Sequence, residues 1–304
     1  MRSGRNTRKL RRNSNNEEIS RREESVLSNP EEKDLPKEGG TTEAQNEDRG
    51  LRKRIGVRNA SESPEEMTED RRPVRLFDGV FLAPDPRNPQ KKILVTVNLT
   101  PGKSIYGETL IPQSIEGIKV EFRSWDPFRS KLAASILNRL KNFPFLNGFR
   151  CLYLGASTGT TVSHLSDILG PNGKIFAVEV APRVARELME NVVKFRKNVV
   201  PIVEDAKHPE KYASVYGDIA TVYCDIAQPD QTEIAIKNCN MYLADPGFLF
   251  LVVKASSINA LKSKNEVFSD QIKILQNSQF DLLEKIDLEP FDRNHAMLVA
   301  RKSI

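Results

Sequence analysis

From Trp125 onward, apolar residues follow two alternating rhythms. The runs CLYL (151–154), KIFAVE (174–179), VVPIV (199–203), IATVYCD (219–225) and FLFLVVK (248–254) are nearly uninterrupted, as expected of strands covered on both faces. Two further runs, 281–288 and 295–302, are joined by a link too short for a crossover helix, which predicts an antiparallel hairpin at one sheet edge. Between the runs the spacing turns helical: Leu132, Ile136 and Leu140; Val162, Leu165 and Leu169; Val184, Leu188, Val192 and Phe195. Asp126 reads as the N-cap of the first helix, with Pro127 at its first position. Strand and helix in this order predict a doubly wound α/β sheet of seven strands, with ligands at the carboxyl ends of the strands.

Upstream the pattern shortens. GVFLA, KILVTVNL and IKVEF are strand-like runs separated by APDPRNPQ and LTPGKS, which predicts a small antiparallel β module over 73–122, packed on the larger domain at 123–304. Residues 1–72 carry no aromatic residue, the first being Phe77, and are expected to be a disordered, mixed-charge tail. Its opening, MRSGRNTRKLRRNSNN, holds six basic residues and no acid. It suits an RNA-contacting arm or a nuclear-import signal, and equally a solvated tail.

Composition narrows the class. A formal charge of +5 and a pI near 9.0 permit a polyanionic partner without requiring one. Cys151, Cys224 and Cys239 are widely spaced with no CxxC, which fits buried thiols in a reducing compartment and gives no metal site. No run reaches the roughly 18 apolar residues that span a bilayer, so a soluble, intracellular chain without membrane partners is expected.

The candidate chemistry sits at the strand ends. LYLGASTGTTVSHL is a strand, a turn Gly155-Ala156-Ser157-Thr158-Gly159 and a helix; such a turn lets backbone N–H groups approach a ligand, or it can be purely structural. It is not GxGxxG, since Ser157 and Thr160 stand where glycine would. Glu179 ends the second strand 24 residues after Gly155, where a carboxylate can accept bonds from two ribose hydroxyls. Asp205 ends the third strand and Asp225 the fourth. A ligand with a ribose and an adenine, in a chain without GxxxxGK[ST], suits S-adenosylmethionine, so the sheet is expected to be a Rossmann-like methyltransferase sheet.

A sulfonium methyl is already activated, so the protein has to hold an acceptor in line and take its proton. Lys131, Asp225, Lys254 and His295 are the candidates on the crevice side. Two lysines beside one aspartate disfavour each other's charge, so either could act as base while the other stabilises a developing alkoxide. Lys131 and His295 also read as ordinary surface residues, whereas Lys254 closes a central strand. His164 and His208 are expected to be structural or exposed.

WDPFRSKLAASIL, LYLGASTGTTVSHLSDILGPNGKIFAVEV, VPIVEDAKHPEKY, DIAQPDQT, VVKA and NHAMLV, with LTPGKSIYGE in the β module, closely resemble the fibrillarin family of 2′-O-methyltransferases. The resemblance runs from Val74 to the C-terminus. It implies a catalytic tetrad of Lys131, Asp225, Lys254 and His295. Beside the Gly155 turn, already read as a donor-binding candidate, it also implies donor contacts from Thr160 and Thr161, Glu179 and Val180, Asp205 and Ala206, and the run Asp225, Ile226, Ala227 and Gln228. The implied activity is guide-directed methylation of rRNA, and of tRNA, in a box C/D particle with a guide RNA, a Nop-type scaffold and a kink-turn-binding ribosomal-like protein. A structural subunit, or methylation of a protein glutamine on a histone, is the alternative. The tail lacks RGG repeats and Asn294 stands where many members carry Asp. The helix APRVARELMENVVKF is more like archaeal members, which implies a cytoplasmic protein, against a nucleolar one in a eukaryote.

Overall fold

The structure, a computed structural model, describes residues 72–115 and 117–303. Apart from Arg72, the expected tail lies outside the described residues. Five strands come first: β1 Val74–Phe77, β2 Val80–Asp85, β3 Asn88–Val97, β4 Leu110–Ile115 and β5 Ile118–Ser124. They form an antiparallel sheet of order β1-β2-β3-β5-β4. β1 (VRLF) and β4 (LIPQSI) are not among the strands expected from the hydrophobic pattern; both are short edge strands, β1 with no fully buried residue and β4 with Ile111 alone. APDPRNPQ, expected to be a separator, is largely the tip of the β2–β3 hairpin, where the Asp85 carboxylate accepts the Arg87 N–H at 2.9 Å.

The second sheet contains β6 Arg150–Leu154, β7 Lys174–Val178, β8 Val199–Ile202, β9 Ile219–Cys224, β10 Leu243–Lys254, β11 Phe280–Asp287 and β12 His295–Lys302. Their order is β11-β12-β10-β9-β6-β7-β8. β6 to β10 run parallel, and β12 is antiparallel to both β10 and β11, the edge hairpin that the short link requires. Alternate side chains feed two cores. Tyr153, Tyr223 and Phe250 stack on one face, and Leu152, Val222 and Leu251 pack on the other. Cys151, Cys224 and Cys239 are buried thiols in these layers.

Helix α1, Lys131–Leu137, starts later than its sequence suggests. Its N-cap is Ser130, whose hydroxyl accepts the Ala133 N–H, while Asp126 closes the preceding turn by accepting the Phe128 N–H at 2.9 Å. Leu132, Ile136 and Leu140 are all buried, although Leu140 lies beyond the helix. Helix α2 is Thr160–Leu169, α3 is Pro182–Leu188, α4 is Gln231–Tyr242, α5 is the single turn Ala255–Ile258, and α6 is Lys264–Asn277. A π turn at Met189–Val193 extends α3 and inserts an extra residue. The expected face therefore breaks: Leu188 and Val192 stay inside, but Phe195 is 39% exposed and Arg196 turns inward. None of these helices is long and apolar enough to cross a membrane.

The two sheets are joined through α2 by buried charge. Asp167 accepts Arg123 at 2.8 Å and Arg196 at 3.0 Å on separate oxygens, together with the Thr96 hydroxyl at 2.9 Å and the Leu99 N–H at 3.0 Å. Arg123 also reaches Glu108 at 2.7 Å and the Ser163 hydroxyl at 3.1 Å. His164 stacks on Trp125 at 4.8 Å and places Nδ1 2.9 Å from Thr96 Oγ1. Burial, with Arg123 and Arg196 nearby, holds its pKa well below the ordinary histidine value. The neutral ring stabilises the fold above about pH 6.5, and this is lost as the unfolded chain takes up a proton below that pH. Thermal melts should therefore show a smaller loss of stability between about pH 7.5 and 5.5 in His164→Gln than in the parent. Equal losses in both would exclude this origin.

Candidate active site

The strand order reverses between β6 and β9, and the two strand ends meet there. The Asp225 N–H donates to the Leu154 carbonyl at 2.9 Å. Gly155 has a φ of +82°, and a Cβ on it would lie 2.8 Å from the Asp225 carbonyl, so the turn needs glycine for both conformation and space. The turn continues through Ser157, at a φ of +51°, whose N–H donates to Glu179 Oε2 at 2.8 Å. The other oxygen of Glu179 accepts the Ala181 N–H at 3.0 Å. Two backbone donors thus fix a carboxylate at the end of β7.

A cavity of about 350 Å³ opens at these strand ends, and Gly155, Glu179, Val180, Asp205, Ala206 and the run Asp225–Gln228 all border it. Three carboxylates expected from three strand ends do converge on one crevice. One detail differs: β8 ends at Ile202, so Asp205 lies in the following turn, where it accepts the Lys207 N–H at 2.9 Å. Ser157 and Glu204 also border the cavity and were not expected from sequence. Thr160 and Thr161 do not. Thr160 borders a neighbouring groove, and the buried Thr161 lies 2.9 Å from the Ser130 hydroxyl beneath α1.

The donor set fits an adenosine group. Each Glu179 oxygen has one lone pair in use and one to spare, enough for vicinal ribose hydroxyls. Val180 is 58% exposed and offers an apolar wall beside it. Ala206 lies on the same cavity.

At the cavity's edge the charged residues come together. Lys131, the first residue of α1, places Nζ 3.3 Å from Asp225 Oδ2. Lys254, the last of β10, lies 2.9 Å from Oδ1 and donates to the Asp225 carbonyl at 3.0 Å. One carboxylate therefore spaces two ammonium groups. His295 is paired with Lys254 in the β10–β12 register but bonds elsewhere. Its Nδ1 lies 2.8 Å from Asp292 Oδ1 and 2.7 Å from the Arg293 carbonyl. Both are acceptors, so Nδ1 carries the hydrogen and Nε2 is the nitrogen left for other work. Asp292 Oδ2 in turn lies 3.7 Å from Lys131 Nζ, closing the chain from His295 to Lys131. Asp292 was not singled out in sequence; its only sequence signal is its place three residues before His295. His208 is exposed, paired with Glu210 at 3.1 Å.

Comparison with known proteins gives the family. The fibrillarin family model matches residues 72–304. A fibrillarin-like rRNA/tRNA 2′-O-methyltransferase of Pyrobaculum calidifontis is 47% identical, covering 76% of this chain and 97% of its own. The rRNA 2′-O-methyltransferase fibrillarin 1 of Arabidopsis thaliana is 45% identical over 73% of this chain and 70% of its own. Among solved structures, Aeropyrum pernix fibrillarin with natively bound S-adenosyl-L-methionine superposes with a TM-score of 0.65 at 40% identity, covering 73% and 94% of the two chains. The fibrillarin of a fibrillarin–Nop5p complex gives 0.64 at 35% identity, covering 76% and 100%. With the match running from the first strand of the small sheet through the edge hairpin, this chain belongs to the fibrillarin family.

Proposed function

We propose that this chain transfers a methyl group from S-adenosylmethionine to a ribose 2′-hydroxyl of RNA, rRNA first and tRNA as well. The observation that carries this is the single carboxylate of Asp225, set between Lys131 and Lys254 at the mouth of a cavity that suits an adenosine. Gly155, Glu179, Val180, Asp205, Ala206 and Asp225–Gln228 would hold the donor, with Thr160 and Thr161 shaping the turn beneath it. The donor supplies a methyl already activated by its sulfonium.

The chain's own residues have two tasks: to orient the acceptor hydroxyl and to receive its proton. Asp225 holds both lysines in position. An ammonium beside the acceptor oxygen stabilises the negative charge that grows as the proton leaves. His295 is oriented by Asp292 with Nε2 available to pass the proton to solvent. The acceptor is selected by a guide RNA in a box C/D particle with a Nop-type scaffold, as supported by the Nop5p complex of a relative, and with a kink-turn-binding protein. An archaeal host would place the chain in the cytoplasm, a eukaryotic one in the nucleolus.

Glu179→Gln should weaken binding of S-adenosylhomocysteine by about 10- to 100-fold, the loss expected for bonds to a charged acceptor. Calorimetric titration checks this, and unchanged affinity would remove Glu179 from the donor site. The activity itself is tested by incubating the chain with scaffold, kink-turn protein and guide, then mapping alkali-resistant linkages in the target RNA. A single protected linkage at the guided nucleotide is expected. Uniform cleavage despite assembly would refute ribose methylation.

A further inference from the structure

A second concavity, of about 520 Å³, adjoins the lysine–carboxylate cluster, between the β2–β3 hairpin and the segment leading into α1. Its wall nearest the cluster is aromatic. Phe128 is 69% exposed and meets Phe291 edge to face, with ring centroids 5.2 Å apart. Phe128 lies three residues before Lys131, and Phe291 precedes Asp292, which faces both Lys131 and His295. The far rim is basic: Arg87, Lys91 and Lys92 are exposed on the hairpin. Arg129 lines the same concavity, donating to the Tyr106 carbonyl at 2.8 Å.

Of the three acids on this surface, one is paired with a buried cation and two keep their charge while accepting backbone N–H groups. Asp85 holds the Arg87 N–H, Asp126 caps the Phe128 turn and Glu108 pairs with the buried Arg123. Among the described residues, no ion pair involves Arg87, Lys91, Lys92 or Arg129. With Arg87, Lys91, Lys92 and Arg129 set against the carboxylates of Asp85 and Asp126, the groove keeps a net positive charge leading to an exposed aromatic platform beside the candidate catalytic lysine. This is the combination that grips a nucleic-acid strand, with cations on its phosphates and an aromatic ring against a base.

We propose that this groove seats the RNA strand that carries the acceptor ribose. Phosphates flanking the acceptor lie on Arg87, Lys91 and Lys92, and a base at or next to it packs on Phe128 and Phe291. The inference rests on the ribose-methylation reading above. Phe128 is here a positioning residue: it fixes where the acceptor's ribose falls relative to Lys131 and Asp225 without taking part in proton transfer.

The test uses the complete particle, with scaffold, kink-turn protein and guide, carrying either Phe128→Ala or the triple substitution Arg87→Gln, Lys91→Gln, Lys92→Gln. All four side chains are exposed, so both proteins should fold. Phe128→Ala should raise the KM for the acceptor strand by about 5- to 150-fold, the range for one stacked base, with S-adenosylhomocysteine affinity unchanged. The triple variant should flatten the dependence of acceptor-strand binding on salt by roughly two logarithmic units per decade, about 0.7 for each single-strand phosphate lost. An unchanged KM together with an unchanged salt slope overturns the proposal. So does a triple variant that fails to join the scaffold, which would assign the groove to an acidic protein face. If the unsubstituted particle transfers no methyl, the methylation reading fails by itself, and fluorescence anisotropy of the acceptor strand still decides the groove from the same salt slopes.

Discussion

Asp225→Asn is expected to reduce methyl transfer by about 10²- to 10⁴-fold in turnover, the range general acid–base groups contribute, while the particle assembles normally. The reason is geometric. Among the described residues, Asp225 is the only side chain that meets both Lys131, at 3.3 Å, and Lys254, at 2.9 Å. Asparagine preserves the shape of the cavity edge but not the charge, so the two ammonium groups lose the anion that spaces them. All three side chains keep some exposure, between 14% and 23%, so water can screen the leftover repulsion and the fold should survive. Single-turnover kinetics, with donor affinity measured in parallel, check this. Turnover within about fivefold of the parent would place the proton transfer elsewhere.

Asp167→Ala should produce the largest loss of stability, about 3–5 kcal/mol, because it strands two buried arginines. Arg123 and Arg196 are both fully buried, and Asp167 faces each of them with a different oxygen. Glu108 remains beside Arg123, but among the described residues Arg196 keeps only hydroxyl and amide oxygens from Thr100 and Asn98. Since Asp167 sits on α2, the helix that begins at the glycine turn, loosening it should also weaken donor binding from a distance. Denaturant unfolding measures the first effect. A loss below about 1 kcal/mol would show that water or side-chain rearrangement compensates the arginines.

Much of this arrangement is legible in the chain before folding. Near-continuous apolar runs specify the central strands because both of their faces are covered, and Glu179 and Asp225 stand out as carboxylates directly after such runs. What escapes is whatever depends on a partner far along the chain. Asp292 is unremarkable in sequence, yet it gains meaning from Lys131 and His295. Arg123 and Arg196 look like surface residues until α2 brings Asp167 to them. The π turn after α3 has no local signature, so the outward rotation of Phe195 cannot be read from spacing. Asp126 and Ser130 are both competent caps, and the turn through Pro127 leaves the helix start to Ser130. The edge strands β1 and β4 place few side chains in the core, chiefly Phe77 and Ile111, so their short mixed sequences VRLF and LIPQSI do not stand out as apolar runs.

The most direct measurement compares two acceptor RNAs in the assembled particle, identical except that one has a 2′-deoxy sugar at the guided nucleotide, with tritiated S-adenosylmethionine as donor. Label should enter the ribose acceptor alone and require the guide, scaffold and kink-turn proteins. Equal labelling of the deoxy acceptor, or labelling of protein in place of RNA, would contradict the assignment of the ribose hydroxyl as the group this site methylates.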